Sequence, residues 1–175
     1  AAFTLSIWSM RFVENQFFPN SDRPELIVDF ALPQNTAIEE TSAQMARMET
    51  YLDGNDKALF WSAYVGRGAP RFLLAYDVPT SGPHMGQIVI QTPSVAARDA
   101  LRSELRELAA NEFPGIDVYV KLLDIGPPVG RPVQYRISGP DIDAVRDHAR
   151  DLAAVMASDA RLANIAMDWN EPARV

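Results

Sequence analysis

His84 and His148 are the only imidazoles in the 175-residue chain, and neither stands in a metal-ligand spacing such as H-x-x-x-H. His84 sits beside Gly82 and Pro83 in a loop setting, and His148 falls within a helical pattern, so no metal is expected. The absence of cysteine excludes thiol catalysis, thiolate metal sites and disulfide stapling, and leaves the compartment open. Glu39 and Glu40 are the most conspicuous acidic pair, but they fall in the first turn of a predicted helix, where negative charge complements the helix dipole. Met45 and Met48 read as helix core. With no nucleophile-base pair, no phosphate loop and no ligand cluster, neither an enzyme nor a bound cofactor is expected.

The charge balance narrows the partners. Sixteen basic residues against 23 acidic ones give a net charge of −7, and no stripe of interleaved basic and aromatic residues offsets it. Nucleic acid and anionic lipid head groups are poor partners for such a surface. Hydrophobic residues at 47% and charged ones at 22% match ordinary folded proteins rather than disordered ones.

The elements that would position any site can be read from periodicity. Residues 25–32, Glu-Leu-Ile-Val-Asp-Phe-Ala-Leu, are rich in strand formers, and Pro33 closes the run because it has no amide for a ladder. Thr36 and Glu39 have capping-box spacing, and Ile38, Thr41, Met45, Met48 and Leu52 then trace one helical face. Gly54 is expected to end this helix in the left-handed conformation. Residues 59–65 and 87–91 read as strands, residues from Pro93 onward as a helix with the stripe Leu101, Leu105 and Leu108, and residues 116–122 as an alternating strand. The order β-α-β, an irregular stretch over 66–86, then β-α-β predicts an α+β ferredoxin-like split βαβ sandwich with two helices on one face of an antiparallel sheet.

A Pro/Gly-rich linker follows, Asp124-Ile125-Gly126-Pro127-Pro128-Val129-Gly130-Arg131-Pro132. Beyond it, residues 133–137 read as a strand, Ile142, Val145, Ala149, Leu152 and Met156 as a helical stripe, and residues 165–169 as a strand. This is a second, incomplete β-α-β unit, half of the first, which leaves a strand edge uncovered. It predicts self-association through residues 165–169 or through the apolar N-terminal stretch. That stretch, Ala1-Ala2-Phe3-Thr4-Leu5-Ser6-Ile7-Trp8-Ser9-Met10, is about half of the ~20 residues a membrane-spanning helix needs. It reads either as the end of a transmembrane helix, with Trp8, Arg11 and Phe12 at the interface, or as an amphipathic first helix or leader.

Longer motifs carry a resemblance. Gln16-Phe17-Phe18-Pro19-Asn20-Ser21-Asp22-Arg23-Pro24-Glu25, then Asp29-Phe30-Ala31-Leu32-Pro33 and Ile38-Glu39-Glu40-Thr41, resemble the segment that leaves the seventh membrane helix in resistance-nodulation-division efflux pumps of the acriflavine-resistance type. Asp124 to Gly130 and Val133-Gln134-Tyr135-Arg136-Ile137-Ser138-Gly139 resemble the junction between that family's two C-terminal porter subdomains. The resemblance runs in register along essentially the whole chain. It implies an inner-membrane, proton-driven antiporter, a homotrimer working with a periplasmic adaptor protein and an outer-membrane channel. Residues 1–18 would be the end of a transmembrane helix and its lead-in, 19–126 the first C-terminal porter subdomain, and 127–175 the first half of the second, all beyond the helix lying in the periplasm.

In such pumps the cleft between the two subdomains admits amphipathic small-molecule substrates, and a loop in the first separates an outer from an inner pocket. The resemblance puts Asn20, Ile27 and Asp124 on cleft positions, and Asp168, Trp169 and Asn170 where relatives can carry an arginine. Gly66-Arg67-Gly68 matches the loop, which is longer here and carries the extra apolar run 72–76, so that Tyr64, Arg67 and Phe72 become candidate substrate residues. The alternative is a β-hairpin with Arg67 and Arg71 solvated, and Trp61 fits a core or a pocket equally. The implied mechanism is alternating access driven by carboxylates in the membrane part, which this chain lacks. A cleft poor in fixed polar groups would suit drugs or lipids better than metal ions. Without the resemblance, the same fold would suggest a stand-alone small-molecule binding or subunit-interaction domain.

Overall fold

The computed structural model describes residues 21–73, 76, 78–123, 130–131 and 133–168. Among them the chain forms β1 (Glu25–Ala31), α1 (Ile38–Asp53), β2 (Phe60–Val65), β3 (Met85–Gln91), α2 (Val95–Glu112), β4 (Asp117–Leu122) and α3 (Ile142–Ala157). The four strands make one sheet in the order β2-β3-β1-β4, with every neighbouring pair antiparallel. Each βαβ unit is split by a strand of the other: β3 lies between β1 and β2, and β1 between β3 and β4. This is the α+β, ferredoxin-like arrangement that the element order predicts.

Strand alternation sends Leu26, Val28 and Phe30 of β1 to one face, joined by Ile88 and Ile90 of β3 and Val118, Val120 and Leu122 of β4. Against that face α1 lays Met45, Met48 and Leu52, and α2 lays Leu101, Leu105 and Ala109. Phe30 meets Phe113 edge to face, with ring centroids 5.9 Å apart. Trp61 takes the core alternative: its register partner is Ile90, it packs on this core, and its indole N–H donates to Glu49 Oε1 at 3.1 Å. Gly86 is glycine because α1 crosses there, a Cβ at this position falling 2.1 Å from Met45 Sδ.

The start of β1 is tied down from α2. Buried Arg98 donates from Nη1 to the carbonyls of Ser21 (2.5 Å) and Arg23 (2.8 Å), and its Nη2 pairs with Asp99 at 2.8 Å. Thr92 Oγ1 donates to the Pro24 carbonyl at 2.7 Å.

Two helix ends differ from expectation. Thr36 and Glu39 do not form a capping box: the N-cap is Ala37, without a side-chain cap, because the Thr36 hydroxyl donates instead to the Pro33 carbonyl at 2.6 Å in the preceding turn. Gly54 does end α1, but with φ −88° rather than in the left-handed region.

The larger difference lies beyond the linker. Among the described residues only the helix of the second unit forms; residues 133–137 and the described part of 165–169 carry no strand pairing. Val133 and Tyr135 are 45% and 68% exposed. An alternating pattern becomes a strand only when a ladder partner fills its hydrogen bonds, and among the described residues none does. α3 carries the expected stripe of Ile142, Val145, Ala149, Leu152 and Met156, yet none of its residues is buried.

Candidate functional site

The face of the sheet opposite the helices carries the side chains that alternation turns away from the core. On β1 these are Ile27 and Asp29, on β3 Gln87 and Val89, on β4 Tyr119 and Lys121, and on β2 Ser62 and Tyr64. The stretch between β2 and β3 folds back over this face. Its neck is closed by hydrogen bonds from Gly66 N to Met85 O (2.7 Å), Gly82 N to Gly66 O (3.0 Å) and Met85 N to Gly82 O (2.9 Å). Gly66 turns the chain there at φ +76°, a region open to glycine without strain. The Thr41 hydroxyl of α1 holds the far side of the neck through the Pro83 carbonyl at 2.7 Å.

Within the loop, Tyr76 lies buried against Ile27 and Leu123, with Leu73 beside it, a small apolar cluster separate from the main core. Fully buried Gln87 supplies the polar contacts. Its Oε1 accepts from the Ala69 amide (2.8 Å) and from the Tyr76 hydroxyl, and its Nε2 donates to Asp29 Oδ1 at 2.6 Å. Asp29 Oδ2 in turn pairs with Lys121 Nζ at 2.5 Å. The chain of contacts runs from loop to β3 to β1 to β4, leaving no polar group of Gln87 unpaired in a setting where an unpaired one costs about 1–3 kcal/mol.

The structure therefore gathers three of the residues the resemblance singles out. Ile27 lies under the loop, Phe72 stacks on Tyr76 with ring centroids 4.9 Å apart, and Tyr64 is half-buried on the same face, opposite Gln87 in register. Arg67 is exposed beside the neck and is not drawn into the cluster. The hairpin alternative agrees with the antiparallel pairing of β2 and β3 on either side of this stretch and with the exposure of Arg67 and Arg71, the ladder ending at Val65 and Gly86. Asp168 is exposed after α3. Asn20, Asp124, Trp169 and Asn170 lie outside the described residues, as does the apolar stretch 1–18.

Asp29, Gln87, Tyr76 and Lys121 are absent from the sequence-based set. The available signal was an acidic residue inside the apolar run 26–30: in a strand with one face in the core, Asp29 must share the other face with Ile27.

A second polar cluster sits on the helix side, where the Tyr51 hydroxyl, the Asn55 amide and Lys57 Nζ converge on Glu104 at 3.3, 3.1 and 3.2 Å. The Asn55 hydrogen bond, followed by those of Lys57 and Tyr51, holds the Glu104 carboxyl below the usual carboxylate range. Burial, reinforced by the Glu104 charge, pushes the Tyr51 phenol up. At the far edge of the sheet Arg131 clasps both Asp117 oxygens (2.7 and 2.6 Å), lies 4.6 Å over the Tyr119 ring, and donates to the Asn164 carbonyl, drawing the tail toward β4.

Among the described residues no group of three or more histidine, aspartate or glutamate side chains is placed to hold a metal, and no helix is long and apolar enough to cross a membrane. No protein-family model and no curated protein matches the chain. What the helix-free face offers is a small apolar cluster with one buried amide at its floor and a charged pair at its side.

Proposed function

We propose that this chain is a periplasmic porter segment of a proton-driven resistance-nodulation-division efflux pump, contributing one wall of the cleft and pocket through which amphipathic molecules pass. The carrying observation is that Ile27, assigned to the cleft by resemblance, packs against Tyr76 of a loop with a closed neck, that Phe72 of the same loop lies against Tyr76, and that Tyr64 shares the helix-free face of the sheet. A face that sets the apolar cluster at Ile27 beside polar and aromatic side chains such as Tyr64 and Tyr119 suits molecules with both apolar and polar parts. The stripe of α3, with no residue fully buried among the described residues, agrees with a second subdomain whose remaining strands and helix come from elsewhere in a longer polypeptide. In this reading the pump is a homotrimer in the bacterial inner membrane, joined to a periplasmic adaptor and an outer-membrane channel. The chain itself performs no chemical step.

Reading the parent gene on both sides of this segment tests the proposal. About twenty apolar residues leading into Ala1, with further membrane-spanning segments after Val175, are the expected result. A start codon and a stop codon bracketing these residues would sink it in favour of a free-standing binding domain.

A further inference from the structure

We infer that the free edge of β2 takes a second copy of this chain: two β2 strands pair antiparallel across a two-fold axis at Ser62, joining both sheets into one. The inference does not rest on the pump reading, since a two-fold pair is a property of this chain by itself and is no step in building a trimer.

The two edges of the sheet are β2 and β4, and only one of them is guarded. β4 holds Asp117 and Lys121, and Arg131 lies across it, clasping Asp117 and covering the Tyr119 ring. Charges and a covering segment are devices by which folded proteins keep an edge from pairing with another chain. β2, Phe-Trp-Ser-Ala-Tyr-Val, holds neither charge nor proline, and among the described residues no strand lies beyond it. Leu59 and Phe60 at its start are 58% and 63% exposed, and Ser62 is exposed as well.

Register fixes which backbone groups face outward. Val65 stands opposite Gly86 while the Gly66 amide donates to Met85 O, so Phe60, Ser62 and Tyr64 direct their backbone groups to β3. The N–H and C=O groups of Trp61, Ala63 and Val65 turn to the open side, ready for a further ladder. Antiparallel pairing about Ser62 sets Trp61 opposite Ala63 of the second copy, where the two exchange both hydrogen bonds, and the symmetry repeats the pair. On the helix-free face it sets Phe60 opposite Tyr64 of the second copy, also twice, and aromatic cross-strand pairs stabilise a sheet. Moving the axis to Ala63 would set Phe60 opposite Gly66 and lose both aromatic pairs. Like charges are kept off the seam: Lys57 Nζ is drawn to Glu104 at 3.2 Å, and Gly66 turns the chain at φ +76° before Arg67. The strand is thus complementary to itself in backbone pattern and in side-chain pairing, which a foreign segment would match only in the backbone.

Sedimentation of the full chain from about 10 µM to about 1 mM, alongside Ser62→Lys, tests this. The unaltered chain is expected to approach twice its monomer mass as concentration rises. Ser62→Lys sets two like charges opposite each other on the axis and should weaken the association about fivefold. Its urea transition should not move, because position 62 is exposed. A monomer throughout, or association that Ser62→Lys leaves unchanged, overturns the inference. The chain has no cysteine, so a single introduced one reports the register whether or not the lysine variant folds. Opposed residues of a non-hydrogen-bonded pair lie about 4.5 Å apart at Cα, within the ~4.4–6.8 Å of a disulfide. The two copies of position 64 would lie about 13 Å apart along the strands. Ser62→Cys is therefore expected to form a disulfide-linked dimer about tenfold faster than Tyr64→Cys under the same oxidant. Equal rates overturn the pairing.

Discussion

α2 and α3 are both amphipathic helices of ordinary length, yet α2 buries Leu101, Leu105 and Ala109 while α3 buries nothing. The difference lies in what the topology places opposite them. α2 connects β3 and β4, which both pair with β1 in the one sheet, so its stripe meets a finished apolar face. α3 lies between two segments that find no ladder partner among the described residues. An amphipathic stripe thus reports a helix that needs a partner, and only the pairing of distant strands says whether the partner is at hand.

Core truncation should separate the two helices most sharply. Leu101→Ala is expected to lower the unfolding free energy by about 2–5 kcal/mol in urea titration, whereas Leu152→Ala in α3 should leave the sheet unit within about 0.5 kcal/mol of its original stability. Equal losses would mean that α3 belongs to the same core, and the contrast would collapse. Next in size, Arg98→Met strips charged hydrogen bonds from the Ser21 and Arg23 carbonyls and should cost about 2–3 kcal/mol. Arg161→Met, which removes an exposed pair with Asp159, should not move the same transition.

The helix caps sharpen the comparison in a different observable. Ser94 Oγ accepts from the Ala97 amide (3.1 Å), and Asp141 Oδ1 accepts from the amides of Asp143 (2.9 Å) and Ala144 (3.2 Å). Ser94→Ala should lower global stability by about 1 kcal/mol with unchanged helix content, since packing holds α2 in place. Asp141→Ala should instead reduce the circular dichroism signal at constant stability, because a helix of this length with no fully buried residue draws little support from packing. Loss of stability without loss of helix signal in Asp141→Ala would mean that α3 shares in the main core.

The smallest effect concerns pH. The folded-state pKa of Glu104 is lowered by Asn55 first and Lys57 next, so its contacts stabilise the fold above the unfolded value of about 4.3 and that contribution fades as pH falls through the folded value. The stability advantage of the unaltered chain over Glu104→Gln should therefore shrink between about pH 6 and about pH 3. Asp159, whose carboxyl is also held low by the solvent-exposed Arg161, lies outside the sheet unit and should give a smaller pH-dependent difference on replacement by asparagine. An advantage for Glu104 that grew on acidification would reverse the assignment.

The sheet and all three helices are legible in the sequence because each rests on periodicity within one short window. Leu26, Val28 and Phe30 alternate, Met45, Met48 and Leu52 recur at helical spacing, and both patterns survive folding intact. What periodicity does not carry is partnership over distance. The spacing of Thr36 and Glu39 fits a capping box, but the Thr36 hydroxyl finds the Pro33 carbonyl closer to hand. Residues 133–137 have strand composition, but strand composition supplies no neighbour. The site was half legible for the same reason: Ile27, Tyr64 and Phe72 come from motif resemblance, whereas Gln87, Tyr76, Asp29 and Lys121 act only as a group assembled from three strands and a loop.

The closed neck at Gly66 and Gly82 makes the intervening loop an exchangeable cassette. Because loop-closure entropy grows only logarithmically, doubling the number of residues between the neck positions costs about 0.6 kcal/mol, well within what the sheet can absorb. The frame supplies a fixed floor of Ile27, Asp29, Gln87 and Lys121, and the cassette supplies whatever leans on it. Grafting a loop of different length and composition between the same two glycines should thus leave the four-stranded frame in register while changing which side chains lean on its helix-free face.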